Sequence, residues 1–118
     1  MDKLEFMFMC QQDLQDRLLN IKLPSDKPEL ISTYALGLVS EIGEVLQADK
    51  RWKNKTGGDN KTVDHDSVKE ELTDCMLYLI NLIQACDVNA EEFFESFIKV
   101  QNKVRRRNEL TEVRYTNF

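Results

Sequence analysis

Apolar residues recur every three or four positions along most of this chain, and no two-residue alternation of β-branched side chains runs for the length of a strand. That pattern predicts helices alone. A first helix over residues 3 to about 20 carries Leu4, Met7 or Phe8, Gln11, Leu14 or Gln15, and Leu18 on one face. "KLPSDKPEL" ends it, because Pro24 and Pro28 cannot sit in a helix interior, whereas Asp26 can cap a second helix holding Pro28 and Glu29 in its first turn. This second helix runs to about residue 50, with a stripe of Ile31, Tyr34, Ala35, Leu38, Ile42, Val45 and Leu46 as the face to bury.

"KNKTGGDNKTVD" has paired glycines and no apolar period, and is expected to be a mobile loop. In "SVKE", Ser67 and Glu70 have the spacing of a capping box, which places the start of a third helix there. From Leu72 to Cys86 this helix is apolar on nearly every side, so it should be the central element. Asn89 and Glu92 repeat the start signal for a fourth helix bearing Phe93, Phe94, Phe97, Ile98, Val100 and Val104. The tail from about residue 108 is polar and without a period. The expected fold is all-α with a four-helix core.

At 118 residues the chain, 1–118, is one domain with one core. No segment approaches the roughly 18 consecutive apolar residues of a membrane span, and "MDKLEFMFMC" lacks the basic start of a signal peptide, so a soluble cytoplasmic protein with no membrane partner is expected. Cys10, Cys75 and Cys86 are odd in number and lack CxxC spacing, which suggests buried free thiols. A formal net charge of -5 argues against nucleic acid as a partner and permits cations.

The charges become informative once placed on the helices. At about 100° per residue, Glu71, Asp74, Tyr78, Asn81 and Ala85 form a line along the third helix, while Glu41 and Glu44 lie one turn apart at the edge of the second helix's stripe. If the two helices pack antiparallel, four carboxylates converge, and burying them uncompensated costs several kcal/mol each. No Lys or Arg lies on the inner line of the third helix. A hard divalent cation is the natural partner, Mg²⁺ with Mn²⁺ as a possible substitute. A di-iron site lacks its Glu-x-x-His pairs, a hydrolytic triad lacks a nucleophile placed beside His65, and no phosphate-binding glycine loop is present. The plain alternative is that ExxE and ExxD pairs decorate solvated faces in a chain with 21 acids. Glu70 is left out of the metal set because the capping box already employs it.

"SEIGEVLQ" followed by "EELTDCMLYLINL", with 26 residues between Glu44 and Glu71, resembles the ExxE and ExxD signature of the MazG-like, all-α nucleoside triphosphate pyrophosphohydrolases. The resemblance spans about residues 4 to 107 and includes the order of helices and "NKVRRR". It implies a four-helix core in a homodimer or homotetramer, Mg²⁺ held by Glu41, Glu44, Glu71 and Asp74, and cleavage of a nucleotide between its α and β phosphates. Lys103, Arg106 and Arg107 match a basic cluster that faces the phosphates, with Lys50 and Lys53 as weaker matches. Near a helix C-terminus the same cations also have a plain role in favouring the helix dipole. Trp52 by stacking, and Tyr78 and Asn81 by hydrogen bonding, are candidates for the nucleoside pocket. Aromatic residues at helical spacing are more often part of a core, which is the plain reading of Tyr78. An amide on a buried helix must find partners, which a ligand or a carboxylate would supply. The loop 54–63 matches no base-recognition segment of the family.

The function expected on these grounds is Mg²⁺-dependent hydrolysis of a (deoxy)nucleoside triphosphate to the monophosphate and pyrophosphate, in nucleotide-pool house-cleaning. The alternative is a noncatalytic helical module that binds metal, nucleotide or protein. The nearly all-apolar third helix and the Phe-rich fourth add to the expectation of a homo-oligomer.

Overall fold

A computed structural model describes residues 1–19, 21–51 and 63–116 of the chain. The described residues form four helices: α1 (Lys3–Leu18), α2 (Lys27–Ala48), α3 (His65–Ala85) and α4 (Ala90–Arg107). Among the described residues there is no strand, and no helix is long and apolar enough to cross a membrane.

Each helix starts where a side chain can take up backbone N–H groups that have no partner inside the helix. Asp2 accepts from the Glu5 amide at 2.8 Å and Asp26 from the Glu29 amide at 3.1 Å. At α4 the box is complete, with Asn89 accepting from the Glu92 amide at 2.8 Å and Glu92 from the Asn89 amide at 3.2 Å. The third helix departs from the expectation. Its cap is Asp64, which accepts from the amides of Asp66 and Ser67, while the Ser67 hydroxyl donates to Asp64 at 2.9 Å. Aspartate caps as well as serine and adds a negative charge at the positive end of the dipole, so α3 gains three residues and Glu70 has no capping role.

α2 and α3 run antiparallel and form the main packed pair. Lys27 forms an ion pair with Asp87, Gly37 faces the Tyr78 ring, and Glu41 meets Asp74, so positions rise on one helix as they fall on the other. Asp87 reaches Lys27 because α3 ends in a left-handed residue, Asp87 at φ 63°, with the Val88 amide returning to the Ile83 carbonyl at 3.2 Å. α4 ends the same way, with Glu109 at φ 57° and the Leu110 amide bonded to the Arg105 carbonyl at 2.8 Å. That reversal folds the tail back along α4. Asn102 exchanges two hydrogen bonds with the Val113 backbone, and Tyr115 sits edge-on to Phe94 at 4.8 Å.

α3 is central, with α2 on one side and α1 on another. Phe8, Ile80 and Ala90 are the buried centre of a small core, packed by Leu4, Met76, Ile83 and Phe93. The ambiguities in α1 resolve to Phe8 over Met7 and Gln15 over Leu14. Elsewhere large apolar faces stay uncovered. Ile42 and Leu46, assigned to the buried stripe of α2, are exposed, as are Leu36 and Val39, because α2 packs mainly against α3. Phe97, Val100 and Val104 of α4 are about half exposed too. The accessible area, 9275 Å², exceeds by roughly 40% what a compact chain of this mass presents. The expectation of buried thiols also fails: Cys10 and Cys86 are exposed and Cys75 is half-buried, since α1 and the end of α3 each keep a solvent-facing side.

Candidate functional site

The groove between α2 and α3 has three levels, each about one helical turn from the next. At one end the acids gather. Glu41, Glu71 and Asp74 each offer a carboxylate oxygen within 4.8 Å of the others, and all three are half-buried. Glu44 is exposed and stands outside this trio, yet its charge still reaches Glu71. The Glu71 carboxyl is held above its ordinary value, first by burial and then by Asp74, Glu44, Glu41 and Glu70. Burial and the same anions also push the Cys75 thiol up. Among the described residues no Lys or Arg forms an ion pair with any of the four acids. A helix pair that brings mutually repelling carboxylates together without a cation has the donor set that Mg²⁺ or Mn²⁺ favours, all oxygen and negatively charged. Glu70 is exposed on the neighbouring face of α3 and lies outside the trio.

The middle level is Tyr78 against Gly37. A Cβ at residue 37 would overlap the Tyr78 ring, so glycine is what lets the ring lie on the α2 backbone. Tyr78, expected in the nucleoside pocket, is placed here in the seam between the helices.

The third level is a pocket of about 260 Å³ between α1, α2 and α3. Gln12 and Gln15 of α1, Tyr34 of α2, and Asn81 and Gln84 of α3 contribute its polar lining. Tyr34 is 3% exposed and its hydroxyl donates to Gln15 at 2.5 Å; burial and then the nearby Asp16 charge push the phenol up, which keeps it a donor. Asn81, singled out from the sequence, does find a partner, but it is Gln11 of α1, whose amide donates to Asn81 at 2.9 Å. Gln84 donates to the Phe8 carbonyl at 2.9 Å, and its own oxygen is buried without a donor among the described residues. Gln11, Gln15, Tyr34 and Gln84 were not singled out as site residues. Their signal was present in α1, where glutamines occupy positions of an apolar stripe. Asn81 lies seven residues beyond Asp74, about 10 Å along the same face of α3, and Tyr34 stands in the same relation to Glu41 on α2. That is about the reach of a nucleotide from its base to its 5′-phosphates.

The basic residues fall elsewhere. Lys103, Arg106 and Arg107 are exposed at the end of α4, which packs on α1 through Phe93 and Phe8, and Arg106 forms an ion pair with Glu112 of the tail. Arg105 binds Gln101 and the Thr111 carbonyl, both at 3.1 Å. This placement agrees with the helix-terminus role of these cations. Lys50 is exposed just past α2. Trp52, Lys53 and residues 54–62 of the loop lie outside the described residues.

No curated protein and no solved structure matches the chain. A family model does, over residues 3–116, and its description is dUTPase. This narrows the resemblance to MazG-like enzymes to an all-α family related to them, one associated with nucleoside triphosphate hydrolysis. With four helices, an acidic groove between the second and third, and a match over nearly its whole length, the chain belongs to the dUTPase family.

Proposed function

We propose that this protein hydrolyses dUTP to dUMP and pyrophosphate with Mg²⁺, the acids of α2 and α3 holding the metal and the amide-lined pocket taking the deoxyuridine. The observation that carries this reading is the joint one: an unpaired carboxylate trio and a polar pocket two helical turns apart along the same pair of helices. The family's description, dUTPase, supports dUTP as the substrate. Uracil is a small ring with carbonyl and N–H edges, and a pocket lined by Asn, Gln and Tyr offers donors and acceptors to match them.

Glu41, Glu71 and Asp74 would be the metal ligands, joined by Glu44. The metal, when bound, supplies the positive charge that offsets the phosphate oxygens and acidifies a bound water. The chain's own residues position the parts. Tyr34 and Asn81 fix the nucleoside at one end of the groove, Tyr78 on Gly37 sets the spacing, and the acids fix where the phosphates stop. Whichever of the four carboxylates is not fully committed to metal would accept the proton of the attacking water.

The exposed apolar faces of α2 and α4, and the large accessible area, support a homodimer or homotetramer in which they are covered. Within one chain Lys103, Arg106 and Arg107 are on a helix that does not line the groove, so any contact with the distal phosphates depends on that assembly. Sedimentation as a monomer at micromolar concentration would remove the oligomer from the proposal.

The enzymatic reading is tested by incubating the protein with dUTP and Mg²⁺ and separating the products. Equal amounts of dUMP and pyrophosphate, abolished by chelator, are expected. Release of dUDP and free phosphate, or binding without turnover, would overturn it.

A further inference from the structure

Away from the α2–α3 groove, α1 and α4 start side by side, and the tail that folds back along α4 brings Tyr115 beside them. Together they enclose a cleft of about 480 Å³. It is separate from the amide-lined pocket: Glu5 borders the cleft and Gln12 borders that pocket, two turns or about 10 Å further along α1. The floor is apolar, made by Leu4, Ala90, Phe94 and Tyr115. The Phe94 and Tyr115 rings meet edge to face with centroids 4.8 Å apart, an arrangement that leaves ring faces free for a third group, and Tyr115 stays 60% exposed.

The rim is acidic. Asp2 and Glu5 of α1 and Glu91 and Glu95 of α4 surround the floor, with Lys3 the one cation of the lining, and none of these five forms an ion pair among the described residues. Acids at helix starts have a plain role, since each start carries roughly half a positive charge. Two starts and Lys3 offset about two of the four carboxylates, and Glu95 stands in the second turn of α4, past the reach of that field. An uncompensated negative charge therefore borders an apolar, aromatic floor.

We propose that this cleft docks a flexible segment of a partner protein in which an arginine or lysine stands next to a bulky apolar residue. The apolar side chain covers the floor, and the cation lies over the free face of Tyr115 among the rim acids. A lone metal ion would leave the aromatic floor uncovered, while a nucleic acid or an anionic membrane would meet like charge at the rim. Since the cleft and the α2–α3 groove open in different places, a docked partner attaches the protein without covering the acids or the amides.

The test screens a phage-displayed library of random heptapeptides against the immobilised intact protein. Enriched peptides are then synthesised and measured by fluorescence anisotropy against the intact protein, the double variant Glu91→Gln/Glu95→Gln, and Tyr115→Ala, with thermal melts to confirm folding. Enriched sequences are expected to set Arg or Lys beside an aromatic or aliphatic residue, to bind each variant about three- to tenfold more weakly, and to lose affinity as salt rises. Enrichment of nothing, of uncharged or acidic sequences, or of basic ones that bind both variants as tightly as the intact protein would overturn the inference. The chain's own basic run, Lys103 to Arg107, is the rival occupant. If the double variant shifts toward monomer in sedimentation, the cleft belongs to a second copy and the partner is overturned. Should one variant not fold, the other and the salt dependence carry the same expectations.

Discussion

The two ends of the α2–α3 groove handle buried polarity in opposite ways. At the acid end, three carboxylates stand together without an ion pair to a Lys or Arg among the described residues, and the Glu71 carboxyl is pushed up by burial and by its neighbours. At the amide end, Gln11 meets Asn81, Tyr34 meets Gln15, and Gln84 meets the Phe8 carbonyl. One end is frustrated and the other nearly satisfied. A fold tolerates frustration where something else is to arrive, which is why the proposed chemistry is placed at the acid end. The amide end is already arranged, which suits selection.

Removing the frustration should cost most in function. Glu41→Gln, Glu71→Gln and Asp74→Asn are each expected to lower dUTP turnover by roughly a hundredfold or more while circular dichroism stays helical. Near-normal hydrolysis by any of the three would sink the metal assignment. Glu44→Gln, altering the exposed member, should cost less than any of the trio.

The level between the two ends should answer to bulk rather than to charge. Gly37→Ala places a methyl where the Tyr78 ring lies, and is expected to lower stability by about 1 to 3 kcal/mol in urea unfolding. Gly43→Ala, on the same helix near the acid end, meets nothing within 4 Å and should stabilise by about 0.5 to 1 kcal/mol through helix propensity alone. Equal effects at the two glycines would show that the Tyr78 contact does not hold the helices at their spacing.

The smallest effect sharpens the comparison by pH. The folded protein holds the Glu71 proton more tightly than the unfolded chain does, so metal-free stability should fall as pH rises from the ordinary value of 4.5 through the raised one. At neutral pH the full penalty is present. Glu71→Gln should therefore melt slightly higher than the unaltered protein in chelator at pH 7, with the gap closing as the pH drops toward 4. A gap that widens on acidification would mean that the carboxylate is favoured by the fold.

Much of this architecture could be read from the order of residues. Period and caps are local, so Asp26 and Asn89 fixed the starts of α2 and α4, and the i, i+3 spacing placed Glu41 with Glu44 and Glu71 with Asp74 on common faces. The start of α3 was misplaced for a local reason: Ser67 and Asp64 both make good caps, and the one that yields more helix won. Neither the family nor its general reaction needed coordinates to be suspected.

Tertiary packing alone decided the rest, because it concerns pairs far apart in the chain. Glu44 was separated from the trio by which face of α2 turns toward α3, a rotation that spacing leaves free. Asn81 was known to need a partner, but that the partner is Gln11, seventy positions away, depends on α1 lying across α3. The glutamines of α1 looked like breaks in an apolar stripe and became the wall of a pocket. Hydrophobic periodicity reports that a face is buried. What that face is buried against, and so whether a polar residue on it is a flaw or a binding group, is settled only when the helices meet.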